Sequence, residues 1–213
     1  MTRIALFDLD GTLIDSAPDL RAALNRLMAA EGLAPFSLPE VVGFIGDGAR
    51  VLVERALSAR GRPFAAGLLE RFLHDYTANA AVETYAYPGI PALLETLVEE
   101  GWRVAVCTNK PEAAAREVLG ALGLTRHLAA IGGGDSFPTR KPDPSHLLAT
   151  LAAAGGSPAQ AIMIGDHHND MAAARGAGVP AIFVSWGYGP PEMAAGAPIA
   201  ADAAALLALL RAG

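Results

Sequence analysis

The chain has 213 residues, 52% of them hydrophobic, enough for a substantial core in one large domain or in a domain carrying an insertion. A net charge of −6 gives no electrostatic footprint for nucleic acid. A single cysteine, Cys107, excludes an internal disulfide framework and fits a reducing cytosol. No apolar run is long enough to span a bilayer, and Met1 to Asp8 reads as a strand rather than a leader, so a cytoplasmic protein is expected.

The first predicted strand is the apolar run Ile4–Asp8, read as buried on both faces of a parallel sheet. From about 16 to 85 the pattern is helical throughout. Ser16-Ala17-Pro18-Asp19 supplies an N-cap, a first-turn proline and an acid at the third helical position. That helix is expected to run to about Glu31 and stop at Gly32. A second helix follows Pro39, and a third starts near Gly48 with Val51, Leu52, Arg55 and Ala56 at helical spacing. A fourth covers about 65 to 80 and carries Leu68, Leu69, Phe72, Leu73 and Tyr76 as a stripe assigned to the block's own core.

Strands resume at Arg103–Thr108, Ala129–Gly132, Ala161–Gly165 and Ala181–Ser185, separated by helix-period segments. The stretch from Ala203 to Leu210 reads as a packed terminal helix. Strands alternating with helices predict an α/β fold with a Rossmann-like, doubly wound parallel sheet whose strand C-termini share one edge. The core is expected to comprise 1–15 and 86–213, with 16–85 as an inserted helical cap placed as a lid over that edge.

The strand ends carry residues suited to one task. Asp8 and Asp10 follow the first strand two residues apart, so they share a face and repel unless a cation neutralises them. The next strand ends in Cys107-Thr108-Asn109-Lys110, and Lys141-Pro142 follows the third. Gly165-Asp166-His167-His168-Asn169-Asp170 closes the fourth. Carboxylates converging at a sheet edge suit Mg²⁺, a hard cation that binds substrate phosphate. The Thr108 hydroxyl and the Lys141 charge suit phosphate oxygens, and backbone N–H groups of the Asp10-Gly11-Thr12 turn are expected to complete a cradle. Only two lysines exist, Lys110 and Lys141, which singles out both positions.

The ordered set Asp8-Leu9-Asp10-Gly11-Thr12, Thr108, Lys141 before a proline, and Gly165-Asp166 with Asp170 resembles the haloacid dehalogenase superfamily of phosphohydrolases. The helical insertion is similar to its helical-cap subgroup. The resemblance implies Asp8 as nucleophile through an aspartyl-phosphate and Asp10 as acid and base. It implies Mg²⁺ held by Asp8, Asp10 and Asp166, with Asp170 anchoring a metal-bound water or Lys141. Leu9, Gly11, Thr12, Thr108, Asn109 and Lys141 are the implied phosphate contacts.

Asp10 favours phosphoryl transfer over carbon–halogen cleavage, because the true dehalogenases lack the second acid. The absence of lysine from the insertion argues against Schiff-base phosphonatase chemistry. A finer similarity, to phosphoglycolate phosphatases of bacterial type, rests on Asp15 to Leu20, Val42 to Gly48, Tyr87-Pro88-Gly89 and Trp186-Gly187-Tyr188-Gly189. It implies a small phosphorylated metabolite as partner, no nucleic acid or membrane, and a monomer or homodimer. Sugar-phosphate phosphatases and β-phosphoglucomutase-type mutases share several of these segments. A receiver module has the same polar residue types but is shorter and lacks the insertion. Arg50 in the insertion is a candidate for a substrate carboxylate or a solvated helix arginine. Gly46, His167, His168 and Tyr188 are rim candidates, and Cys107 is expected to be buried and inert.

Overall fold

A computed structural model describes residues 2–212. Its main sheet has six parallel strands: β1 (Ile4–Phe7), β4 (Arg103–Cys107), β5 (Leu128–Gly132), β6 (Ala161–Gly165), β7 (Ala181–Val184) and β8 (Ile199–Ala200). Their spatial order is β5-β4-β1-β6-β7-β8. The chain builds outward from β1 through β4 to β5, then crosses over to β6 on the other side. The C-terminal end of β1, between β4 and β6, is therefore the switch point where open α/β sheets place their sites.

Side-chain alternation along β1 divides the core. Ile4 and Leu6 join Leu147, Leu151, Ala173 and Ala174 from α7 (Pro144–Ala153) and α8 (His168–Ala177). Ala5 and Phe7 join Leu93, Leu94, Leu97 and Leu206 from α5 (Ile90–Glu99) and α9 (Ala203–Ala212) on the opposite face. All four β1 residues are 1% exposed or less, as the apolar run predicts.

Four helices follow β1 before α5: α1 (Ala17–Ala30), α2 (Leu38–Val42), α3 (Ala49–Ala59) and α4 (Ala66–Ala78). Leu68, Phe72 and Tyr76, four residues apart on α4, are its buried stripe. The chain enters this block through β2 (Ile14–Asp15) and leaves it through β3 (Tyr85–Ala86), which pair antiparallel. Neither β2, β3 nor β8 was expected from the sequence. Each is only two residues long, too short to show a periodicity.

The start of α1 differs from the capping expectation. The Ser16 side chain caps no helix N–H. Its hydroxyl donates instead to Asp10 Oδ1 at 2.5 Å. The Tyr188 hydroxyl accepts from the N–H groups of Ser16 (2.8 Å) and Ala17 (3.0 Å) in its place and donates to Asp15 Oδ1 at 2.8 Å. Asp19 likewise turns away from its own helix. Its carboxylate accepts from the N–H groups of Val82, Glu83 and Thr84 and from the Thr84 hydroxyl, fastening the end of the helical block to its beginning.

Candidate active site

The register brings the predicted polar residues to one edge. Phe7 lies opposite Val106 and Ile164, so Asp8 leaves β1 one residue short of the level at which Thr108 and Asp166 leave β4 and β6. Carboxylate oxygens of Asp8, Asp166 and Asp170 all lie within 4.8 Å of one another. All three acids are buried. Lys141, 2% exposed, reaches Asp170 Oδ1 at 2.6 Å and Asp8 Oδ1 at 2.9 Å. The second contact lies outside hydrogen-bonding geometry, so Asp8 Oδ1 is a buried oxygen without a directed donor.

One ammonium facing three buried carboxylates leaves negative charge uncompensated. Burial, reinforced by the Asp8 charge, pushes the Asp166 carboxyl up to about 7. Burial pushes Asp170 up to about 8, although Lys141 opposes it. Burial works against the Lys141 charge, but Asp170 and Asp8 outweigh it and hold the ammonium above its ordinary range. An all-oxygen donor set with an unpaired buried oxygen and excess negative charge fits a hard divalent cation.

The turn after β1 is shaped around Asp166. Thr12 Oγ1 donates to Asp166 Oδ1 at 2.8 Å, and the Tyr188 N–H donates to Oδ2 at 2.8 Å. Gly11 has φ +84°, and a Cβ there would stand 2.3 Å from Asp166 Oδ2, so only glycine fits. The Gly11 N–H donates to Ile14 O and the Thr12 N–H to Leu9 O. Those two donors, expected as a phosphate cradle, are engaged within the turn because it closes so tightly. Leu9 is fully buried, and its carbonyl anchors the turn.

Asp10 is held by two groups beyond Ser16. Lys110 Nζ stands 2.9 Å from Asp10 Oδ1 and 3.2 Å from Oδ2, and it also donates to the Tyr76 hydroxyl. Burial opposes the Lys110 charge, yet Asp10 and Tyr76 hold it above its ordinary range. The Thr108 hydroxyl accepts from the Lys110 N–H at 3.2 Å. Asn109 bridges the two parts of the fold: its amide donates to Lys141 O at 2.9 Å and to Gly46 O at 3.1 Å. Asn169 donates to Gly46 O at 3.2 Å and to Asp47 Oδ1 at 2.8 Å. The Gly46-Asp47 loop is thus fastened to the sheet edge.

A cavity, partly open to solvent, lies between sheet edge and helices. Its floor is Asp8, Asp10, Thr108, Asn109 and Lys110, and its ceiling is Leu20, Ile45, Ala49, Leu52, Phe72 and Tyr76. Of the residues named from the sequence, Asp8, Asp10, Thr108 and Asn109 line it, and Lys141, Asp166 and Asp170 gather around Asp8. Arg50 does not. It points outward, 2.8 Å from Glu54 Oε1 and over the Phe64 ring. His167 caps α8 and packs against Gly46, while His168 is exposed. Cys107 is fully buried, and burial pushes its thiol up to about 11, so it is no nucleophile. Sequence reasoning missed Lys110, Tyr76 and Ser16 as site residues. The scarcity of lysine singles out Lys110 in the sequence but gives it no role.

Residues 5–184 match the family model described as haloacid dehalogenase-like hydrolase. A phosphoglycolate phosphatase of Agrobacterium fabrum is 46% identical over 192 residues, covering 88% of this chain and 82% of that protein. One from Cereibacter sphaeroides is 48% identical over 187 residues, covering 86% and 85%. The crystal structure of a predicted phosphoglycolate phosphatase from Haemophilus somnus superposes with a TM-score of 0.90 at 30% identity, covering 98% of both chains. A match over residues 5–184, most of the chain, means that this chain belongs to the haloacid dehalogenase-like hydrolase family.

Proposed function

We propose that this chain is a cytoplasmic, Mg²⁺-dependent phosphatase that hydrolyses 2-phosphoglycolate to glycolate and phosphate. The observation that carries this reading is the buried Asp8–Asp166–Asp170 cluster with Lys141, set beside a partly open cavity. The names of the relatives at 46% and 48% identity support the substrate.

In this reading Asp8 attacks phosphorus and forms an aspartyl-phosphate while the departing alkoxide takes a proton from Asp10. Asp10 then removes a proton from water, which attacks the same phosphorus, releases phosphate and restores the Asp8 carboxylate. Thr108 and Lys141 hold the transferred phosphoryl oxygens, with Asn109 fixing the loop between them. Mg²⁺ would be held by Asp8, Asp166 and the carbonyl of Asp10, with Asp170 reaching it through water. When bound, it neutralises charge and orients the phosphoryl group for in-line displacement. Residues 16–85 act as the cap that shuts water out and limits substrate size. The protein acts as a monomer or homodimer, with no nucleic acid or membrane partner.

The test is a specificity panel: kcat/KM for 2-phosphoglycolate beside sugar phosphates and nucleotides, in Mg²⁺. A preference for 2-phosphoglycolate is expected. Selective turnover of a sugar phosphate would refute the substrate.

A further inference from the structure

The cavity has one cationic side chain in its lining, Lys110, and an apolar ceiling except for one hydroxyl, that of Tyr76. Both residues are deeply buried, Lys110 at 5% exposure and Tyr76 at 2%. They come from opposite parts of the fold, the loop just after β4 and the last turn of α4. The Lys110 ammonium donates to the Tyr76 oxygen, which leaves the phenolic proton free for another acceptor. Burial pushes Tyr76 up to about 12, so that proton stays in place at neutral pH. Phe72 stacks on the Tyr76 ring at 5.7 Å and 3°, and Lys110 Nζ lies 4.5 Å from the ring centroid. The hydroxyl is therefore fixed in position. Asp10 is the one anion on Lys110, and it is itself a floor residue beside Asp8.

We infer that Lys110 and Tyr76 form a clamp for the carboxylate of the substrate, the group that is not transferred. The inference rests on the 2-phosphoglycolate reading and assigns its selectivity to two residues. A buried ammonium beside a free O–H donor is matched by an acceptor-only, negatively charged group. Sugar hydroxyls bring no charge to match the ammonium, and the other ceiling side chains, all apolar, could not bond them. Arg50, the sequence-level candidate for this role, points away from the cavity. Lys110 also rests on Asp10, so its charge is neutralised and its position fixed.

The test measures kcat/KM for 2-phosphoglycolate and for ethyl phosphate, its counterpart without the carboxylate, in the wild type, Tyr76→Phe and Lys110→Met. The readout is the ratio of the two substrates, because Lys110→Met also removes the cation beside Asp10 and slows both. The wild type should prefer 2-phosphoglycolate by about a hundredfold or more, as sites built to bond a polar group reject analogues lacking it. Tyr76→Phe keeps the ring stack and should cut that ratio about tenfold through KM, the worth of one hydrogen bond to a charged group. Lys110→Met should remove most of the rest. If both variants lower the two substrates equally and leave the ratio intact, the clamp is refuted while the phosphatase reading stands. If the wild type prefers ethyl phosphate, the 2-phosphoglycolate reading fails first.

Discussion

Lys141 faces Asp8 and Asp170 together, at 2.9 and 2.6 Å, and that uneven match decides how changes around it act. Asp8→Asn removes one charge from a crowded cluster while keeping shape, so the fold should survive. Turnover should fall by about 10⁴-fold or more, as expected when a nucleophile is lost; steady-state phosphate release and a circular dichroism melt check both halves. Gly11→Ala should act in the opposite way. Its Cβ would meet Asp166 Oδ2 at 2.3 Å in a positive-φ position, so thermal stability should drop by about 1–3 kcal/mol as well as activity.

Asp8, Asp10, Thr108, Lys141, Asp166 and Asp170 were legible because each follows an apolar strand. Lys110, Tyr76 and Ser16 were not, because their roles depend on partners that only folding supplies. Ser16 reads as a helix cap until Asp10 claims its hydroxyl. Tyr76 reads as one more core residue on a helical stripe until Lys110 is seen beneath it.

Among the elements, β1, β4, β6 and β7 were readable as apolar runs, and α1, α3 and α4 as amphipathic helices with breakers at their ends. The β2–β3 ribbon was not readable, yet it is the connection through which the helical block joins the sheet. Its neighbourhood is tied by Asp19, which accepts three backbone N–H groups from Val82 to Thr84. Asp19→Ala would leave those donors without their partner, at a cost of about 2–4 kcal/mol. At about 2–4 °C per kcal/mol for a chain of this size, a melting point lower by roughly 5–15 °C is expected in a thermal scan. An unchanged melting point would mean that the tie is replaced by water.

For the whole molecule, the acidic cluster couples stability to pH and to metal. Asp166 and Asp170 are held up near 7 and 8, well above the 3.8 of a free aspartate. A raised carboxyl binds its proton more tightly in the folded state, so its stabilising effect is present at low pH and fades as pH rises through 7 and 8. The half-buried His167, lowered to about 4, works in the other sense, but its effect is complete once pH passes the ordinary 6.5. His146, also lowered by burial, acts in the same direction. Between pH 6.5 and 8 the metal-free protein should therefore lose several degrees of melting temperature. Millimolar Mg²⁺ should abolish that loss and raise the melting point, by an amount set by ligand linkage. No Mg²⁺ effect at pH 8 would argue against a cation among these carboxylates.

The most direct measurement is phosphate release from 2-phosphoglycolate by the wild type and Asp8→Asn, each with Mg²⁺ and with a chelator. Release by the wild type in Mg²⁺ alone, and none by Asp8→Asn, is the expected result. Release that persists in the chelator, or in Asp8→Asn at the wild-type rate, would contradict a metal-assisted transfer through Asp8.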